Sequence, residues 1–184
     1  MKKLVVIVNG SGGSGKDTLI DYVSDRLPNG AVKYSTIDTV RSVASLIGWN
    51  GKKDAEGRLF LHRAKMMLAE WFDFSFKEMV GTIHAFLSTE HDVIFCQARE
   101  EAEIKRLCKY LEDKGIAHMT VLVTRACLSG THYGNPADDN VGKDLEYNYW
   151  VENDDTIEDS GEFLLQAVNF ERGAVSDNQG QVSC

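Results

Sequence analysis

The chain has 184 residues, 43% of them hydrophobic, 26% charged and only 2 prolines. That length and composition can bury one sizeable core, and they exclude both a stapled mini-protein and a chain disordered throughout. A net charge of −8 opposes general binding to nucleic-acid polymers, which depends on neutralising phosphates with Lys and Arg. The average hides an asymmetry: residues 1–134 hold 18 basic and 16 acidic groups, whereas residues 135–184 hold 2 and 12. A phosphate-handling surface therefore belongs in the first 134 residues. Four cysteines (Cys96, Cys108, Cys127 and Cys184) form no C-x-x-C pair, which argues against a disulfide framework or zinc knuckle and fits a reducing cytoplasm.

In chain order, Leu4–Val8 is a continuous apolar run that predicts a strand buried on both faces. It is too short for the core of a signal peptide, and no other run reaches the length of a membrane span, so neither export nor membrane insertion is expected. Leu19, Ile20, Val23 and Leu27 have helical spacing and end at Pro28-Asn29-Gly30. A strand at Val32–Ser35 follows, then a helix from about Asp38 with Val40, Val43, Ala44 and Ile47 on one face. From Asp54 to Phe72, the apolar residues Phe60, Ala64, Met67, Leu68 and Trp71 predict a long amphipathic helix. Phe76 to Leu87 predicts another.

Val93–Cys96 is a third strand, Glu101–Lys114 a helix stopped by Gly115, and Met119–Val123 a fourth strand. After a loop rich in Gly, Asn and Asp, Tyr147–Val151 predicts a fifth strand and Ile157–Phe170 a last helix. Strands alternating with helices imply βαβ crossovers, hence an α/β fold with a doubly wound, five-stranded parallel sheet. Residues 1–172 are expected to form one domain, with 173–184 a frayed tail.

The strongest chemical signal is Gly10-Ser11-Gly12-Gly13-Ser14-Gly15-Lys16-Asp17-Thr18, between the first strand and the first helix. Glycines let successive backbone N–H groups approach a phosphate, the helix N-terminus favours negative charge, and Lys16 adds a mobile cation. The spacing G-x-x-x-x-G-K in this context is that of a P-loop. A Ser or Thr usually follows the lysine and ligates Mg²⁺, but Asp17 stands here.

The G-K-D-T form resembles the nucleoside monophosphate kinases, in particular the deoxynucleoside monophosphate kinases of bacteriophage and bacterial type. The resemblance extends over most of residues 4–170 through Ile37-Asp38-Thr39-Val40-Arg41, Gly48-Trp49-Asn50-Gly51-Lys52-Lys53-Asp54 leading to Arg58 and Lys65, Arg99-Glu100, and Asn153-Asp154-Asp155-Thr156. It implies a P-loop kinase architecture in which ATP and Mg²⁺ serve transfer to a nucleotide acceptor. Residues 38–90 would be a helical acceptor-binding region and 125–146 a lid-like loop containing Gly130, Gly134 and Asn135. Thr18 would hold the α-phosphate, and Asp17 would hold Mg²⁺ through water. A homodimer is compatible with this reading.

Apart from the family, Arg58, His62 and Lys65 place a basic stripe on one helix face. For Arg58 and Lys65 a solvated face is an equal alternative to an acceptor site. Arg41 sits on the preceding helix and Arg99 just past the C-terminal end of a strand, the edge where ligands of open α/β sheets bind, and their convergent guanidinium groups suit a second phosphate. Arg125 opens the lid-like loop and would neutralise the transferred group. The expected catalytic residues are thus Lys16, Arg99 and Arg125, with Asp38, Arg41, Arg58, Lys65 and Arg99 on the acceptor. The third strand ends at Gln97 without the acidic residue common in P-loop enzymes, so Asp17 or Asp38 must help with Mg²⁺. Two alternatives stay open: another small phosphorylated acceptor, or a nucleotide-binding module without turnover.

Overall fold

Six residues with no solvent-facing position, Leu4–Asn9, form strand β1. In the computed structural model, residues 2–52, 54–131 and 141–173 are described. After β1 come α1 (Lys16–Arg26), β2 (Ala31–Ser35), α2 (Thr36–Leu46), α3 (Ala55–Phe72) and α4 (Phe74–Leu87). They are followed by β3 (Val93–Gln97), α5 (Glu101–Asp113), β4 (His118–Thr124), β5 (Tyr149–Glu152) and α6 (Ile157–Glu171). The sheet order is β2-β3-β1-β4-β5, and every pairing is parallel. The expected doubly wound, five-stranded α/β sheet is therefore the observed one.

The alternation of β1 explains why helices cover both faces. Leu4, Val6 and Val8 pack with Leu19, Ile20 and Val23 of α1 and with Leu164 and Val168 of α6. Val5 and Ile7 point the other way, onto Met79, Ile83 and Phe86 of α4 and Ile104, Leu107 and Leu111 of α5. A strand clothed on both sides must be apolar at every residue, which is why its sequence shows no polar alternation. A smaller cluster of Val40, Ala44 and Leu61 joins α2 to α3.

Three local expectations are corrected. The fifth strand begins at Tyr149 rather than Tyr147, because Asn148 uses its side chain in place of the ladder: its Oδ1 accepts from Thr120 N at 2.8 Å and from Thr120 Oγ1 at 2.9 Å. The second helix starts at Thr36, two residues before Asp38. On α3, the face that packs is Leu61, Ala64 and Leu68, whereas Phe60, Met67 and Trp71 stay exposed. Trp71 and Trp150 are thus not core residues, while Trp49 does pack on the α2–α3 cluster.

The break between α3 and α4 is one residue, Asp73, at φ 52°. Arg106 of α5 holds it with two hydrogen bonds of 2.6 and 2.8 Å, which fix the bend and keep the Asp73 carboxyl below the usual carboxylate range. Among the described residues, no helix is long and apolar enough to cross a membrane. Of the expected lid and tail, Gly134, Asn135 and residues 174–184 lie outside the described residues, as does Lys53.

Candidate functional site

The C-terminal edges of β1, β2 and β3 meet around a cavity of ≈ 320 Å³, the position at which open parallel sheets bind ligands. Each wall follows from the element before it. After β1 the chain turns through the glycine loop and presents Gly12, Gly13, Lys16 and Asp17. After β2, Ser35, Thr36, Ile37, Asp38 and Arg41 line a second side. Arg58, Leu61, His62 and Lys65 of α3 form the third, and Gln97, Arg99 and Glu100 at the end of β3 close the floor.

The loop conformation depends on its glycines. Gly15 caps α1 at φ 84°, and a Cβ there would collide with the side-chain amide of Asn153. That amide donates to Ser14 O at 2.8 Å in a buried contact, so the turn after β5 braces the loop from behind. At Gly10 a Cβ would stand 2.6 Å from Val123 O, pressing on β4. Lys16 is buried, and its Nζ lies 3.3 Å from Ser11 O. The Ser14 hydroxyl is buried without a hydrogen-bond partner in this loop.

Of the three carboxylates lining the cavity, Asp38 accepts from Arg41 Nη1 at 2.8 Å and Glu100 is ion-paired with Lys65. Asp17 accepts instead from a neutral amide, Gln97 Nε2, at 2.6 Å. Its charge is thereby left for a hard cation, and Mg²⁺ typically needs only one or two carboxylates beside water and substrate phosphates. Glycine-loop amides, Lys16 and Asp17 thus form a donor set that fits Mg-ATP. Among the described residues no group of three His, Cys, Asp or Glu side chains converges on a point, so nucleotide and water would complete the metal's coordination.

Lys65 is held more tightly than an exposed stripe would be. It is 5% exposed, paired with Glu100 and 3.5 Å from Glu103. Burial pushes the Glu100 carboxyl up, but the adjacent Lys65 ammonium outweighs this and holds it below the usual range. At Glu103, burial and the Glu100 charge together outweigh Lys65 and raise it. The triad ties α3 to the loop after β3 and the first turn of α5, and so holds α3, with Arg58 and His62, at the cavity that Arg99 also lines. Arg41 Nε, meanwhile, has no hydrogen-bond partner, so that guanidinium is not saturated by protein acceptors.

Nine expected site residues therefore share this cavity: Gly12, Gly13, Lys16, Asp17, Asp38, Arg41, Arg58, Lys65 and Arg99. Gly10, Ser11, Ser14 and Gly15 shape the loop behind it. Thr18 lies on the exposed side of α1 and Arg125 at the exposed start of a short 3₁₀ turn, and neither lines the cavity. His62, Gln97, Glu100 and Asn153 were not assigned site roles from the sequence. The i, i+4 relation of Arg58 and His62 was the available signal for His62; Gln97 stood out only for lacking the acid, and Glu100 and Asn153 only as parts of the resemblance, because their partners Asp17, Lys65 and Ser14 are remote in sequence.

No protein-family model and no curated protein matches this sequence. Solved structures do match its fold. Mycobacterium tuberculosis APS kinase in complex with AMPPNP and APS aligns with a TM-score of 0.53 at 13% identity, over 91% of this chain and 98% of that one. Shikimate kinase from Aquifex aeolicus gives 0.50 at 12% identity, over 90% and 96%. The Deinococcus radiodurans tunicamycin resistance protein gives 0.51 at 12%, over 91% and 96%. The likeness is one of architecture: the chain has the fold of the P-loop kinases.

Proposed function

We propose that this chain transfers the γ-phosphoryl group of ATP to a small acceptor that itself carries a phosphate, a (deoxy)nucleoside monophosphate. The observation that carries the reading is a single cavity with a phosphate-type glycine loop on one wall and Arg41, Arg58, Lys65 and Arg99 on the others. One anion requires only the loop. Further cationic walls facing it suit a second anion, brought alongside the first.

In this reading the loop amides and Lys16 hold the β- and γ-phosphates of the donor. Bound Mg²⁺ would supply charge neutralisation between those phosphates, with Asp17 as its protein anchor. Arg41, Arg58 and Arg99 orient the acceptor so that one of its phosphate oxygens approaches the γ-phosphorus as the bond to the ADP oxygen breaks. Positioning and electrostatic stabilisation are then the protein's whole task. Lys65, already paired, acts chiefly by fixing α3. Because Arg125 lies outside the cavity lining, the transfer step is assigned to Lys16 and Arg99. The resemblance carried by Gly15-Lys16-Asp17-Thr18 supports a nucleotide acceptor, whereas the compared kinase structures named above are of an APS kinase and a shikimate kinase.

The test is ADP release from Mg-ATP across ribo- and deoxyribonucleoside monophosphates, with APS and shikimate as competing acceptors and Lys16→Ala as control. Turnover with one or two monophosphates, abolished in the control, is expected. ATP binding without turnover under any acceptor would refute transfer and favour a nucleotide-binding module.

A further inference from the structure

We infer that the outward face of α3 pairs two copies of this chain, helix against antiparallel helix. This stands on observations separate from the kinase reading. The inward face of α3 carries Leu61 and Lys65, buried against α2 and the cavity. Its outward face carries Leu59, Phe60, Met66, Met67 and Trp71, and Trp71 is 74% and Met67 54% exposed. Phe72 at the helix end is 62% exposed, and Leu46 and Ile47 at the end of α2 are more so. Apolar side chains gathered on one surface in this way mark an interaction site on a soluble chain. Single exposed apolar residues need no explanation, but a cluster of them flanking charges on one helix face does.

The face has the spacing of a helix-pairing seam, with apolar pairs at 59/60 and 66/67 and the charged Arg63 and Glu70 at its single positions. The exposed charges between the apolar positions identify the occupant. Arg63 and Glu70 lie two turns apart, roughly 10 Å along the helix. In a parallel, in-register pair Arg63 would face Arg63 and Glu70 would face Glu70. With an antiparallel copy about a two-fold axis between Met66 and Met67, each Arg63 faces Glu70 of the partner subunit, and the methionines meet at the axis. The face is thus self-complementary in charge as well as apolar. A lipid surface is a poorer occupant, because the exposed ionic residues of this face, Glu56, Arg63 and Glu70, are net acidic and anionic headgroups attract basic rims.

The experiment is sedimentation velocity on the full chain over a concentration series, with circular dichroism as the folding control. The wild type is expected to sediment as a dimer, and Met67→Glu as a folded monomer at the same concentration. Arg63→Glu and Glu70→Arg should each weaken the dimer about tenfold, and combining them should restore it. Both positions are exposed, so these variants keep the comparison open should Met67→Glu misfold. A monomeric wild type, a dimer indifferent to Met67→Glu, or a charge reversal without rescue would overturn the inference. So would a monomer that pellets with phosphatidylserine vesicles.

Discussion

Gln97 Nε2 donates a 2.6 Å hydrogen bond to Asp17 Oδ1, joining the end of β3 to the first turn of α1. The amide stands where an acidic residue commonly closes this strand in P-loop enzymes, and it orients the carboxylate that follows Lys16. Groups that orient a metal-associated carboxylate typically affect metal affinity ten- to a hundredfold. Gln97→Ala should therefore raise the Mg²⁺ concentration needed for half-maximal turnover by about tenfold, with KM for the acceptor little changed. A magnesium titration of kcat checks this, and an unchanged requirement would remove the role given to Gln97.

Lys65, Glu100 and Glu103 provide a stability test with a defined pH sign. Folding raises the Glu103 pKa above 4.5, chiefly by burial and then by the charge of Glu100. The folded chain then binds that proton more tightly than the unfolded chain, so this group's contribution to stability falls as pH rises from 4.5 through the raised value. Glu103→Gln should accordingly raise Tm at pH 7, and its advantage over wild type should vanish as pH falls toward 4.5. Glu100 has the opposite sign: its lowered pKa contributes stability that is lost as pH drops below 4.5. Lys65→Met leaves two buried carboxylates facing each other and should cost about 3 kcal/mol at neutral pH. Thermal unfolding of the three proteins between pH 4 and pH 7.5 separates these effects.

Asp92 and Arg172 form a second buried pair, 2.7 Å apart, with side chains only 19% and 1% exposed. It ties the residue after α6 to the entrance of β3, far from the cavity. Asp92→Ala removes the carboxylate that accepts from Arg172 Nη2 and should lower unfolding free energy by about 3 kcal/mol in a urea titration. Nucleotide affinity should stay unchanged below the transition, because the cavity end of β3 is not involved.

Gly15 and Asn153 test the brace behind the glycine loop. Any side chain at Gly15 meets both a positive φ and the Asn153 amide, so Gly15→Ala should abolish measurable ATP binding. Asn153→Ala removes the 2.8 Å bond to Ser14 O without filling the loop. It should weaken ATP about tenfold, the effect of losing one buried hydrogen bond with its desolvation cost. Calorimetry on both variants measures the difference. Equal, small losses would mean that the loop needs no support from β5.

Much of this architecture was legible in the sequence, and for physical reasons. Leu4–Val8 has no polar alternation because both faces of β1 are covered, and a glycine loop directly after it leaves little choice of chemistry. Arg41, Arg58 and Arg99 could be gathered because the ends of parallel strands and the helices after them converge on one sheet edge. What escaped depends on remote pairing. Asn148 takes over a ladder contact from 28 residues away, which moved the start of β5. Periodicity marks the apolar residues of α3 but not which of two apolar stripes faces inward. Nothing local signals that Glu100 and Glu103 would bury Lys65, nor that Gln97 would hold Asp17.

The central claim, transfer between two anions held in one cavity, is tested most directly by following label from ATP marked in its γ-phosphate. Incubated with the preferred nucleoside monophosphate, the wild type should move the label onto the acceptor as a diphosphate. Lys16→Ala should move none, and Arg99→Ala should raise KM for the acceptor more than for ATP. Label released only as inorganic phosphate, at a rate indifferent to every phosphorylated acceptor, would contradict the account.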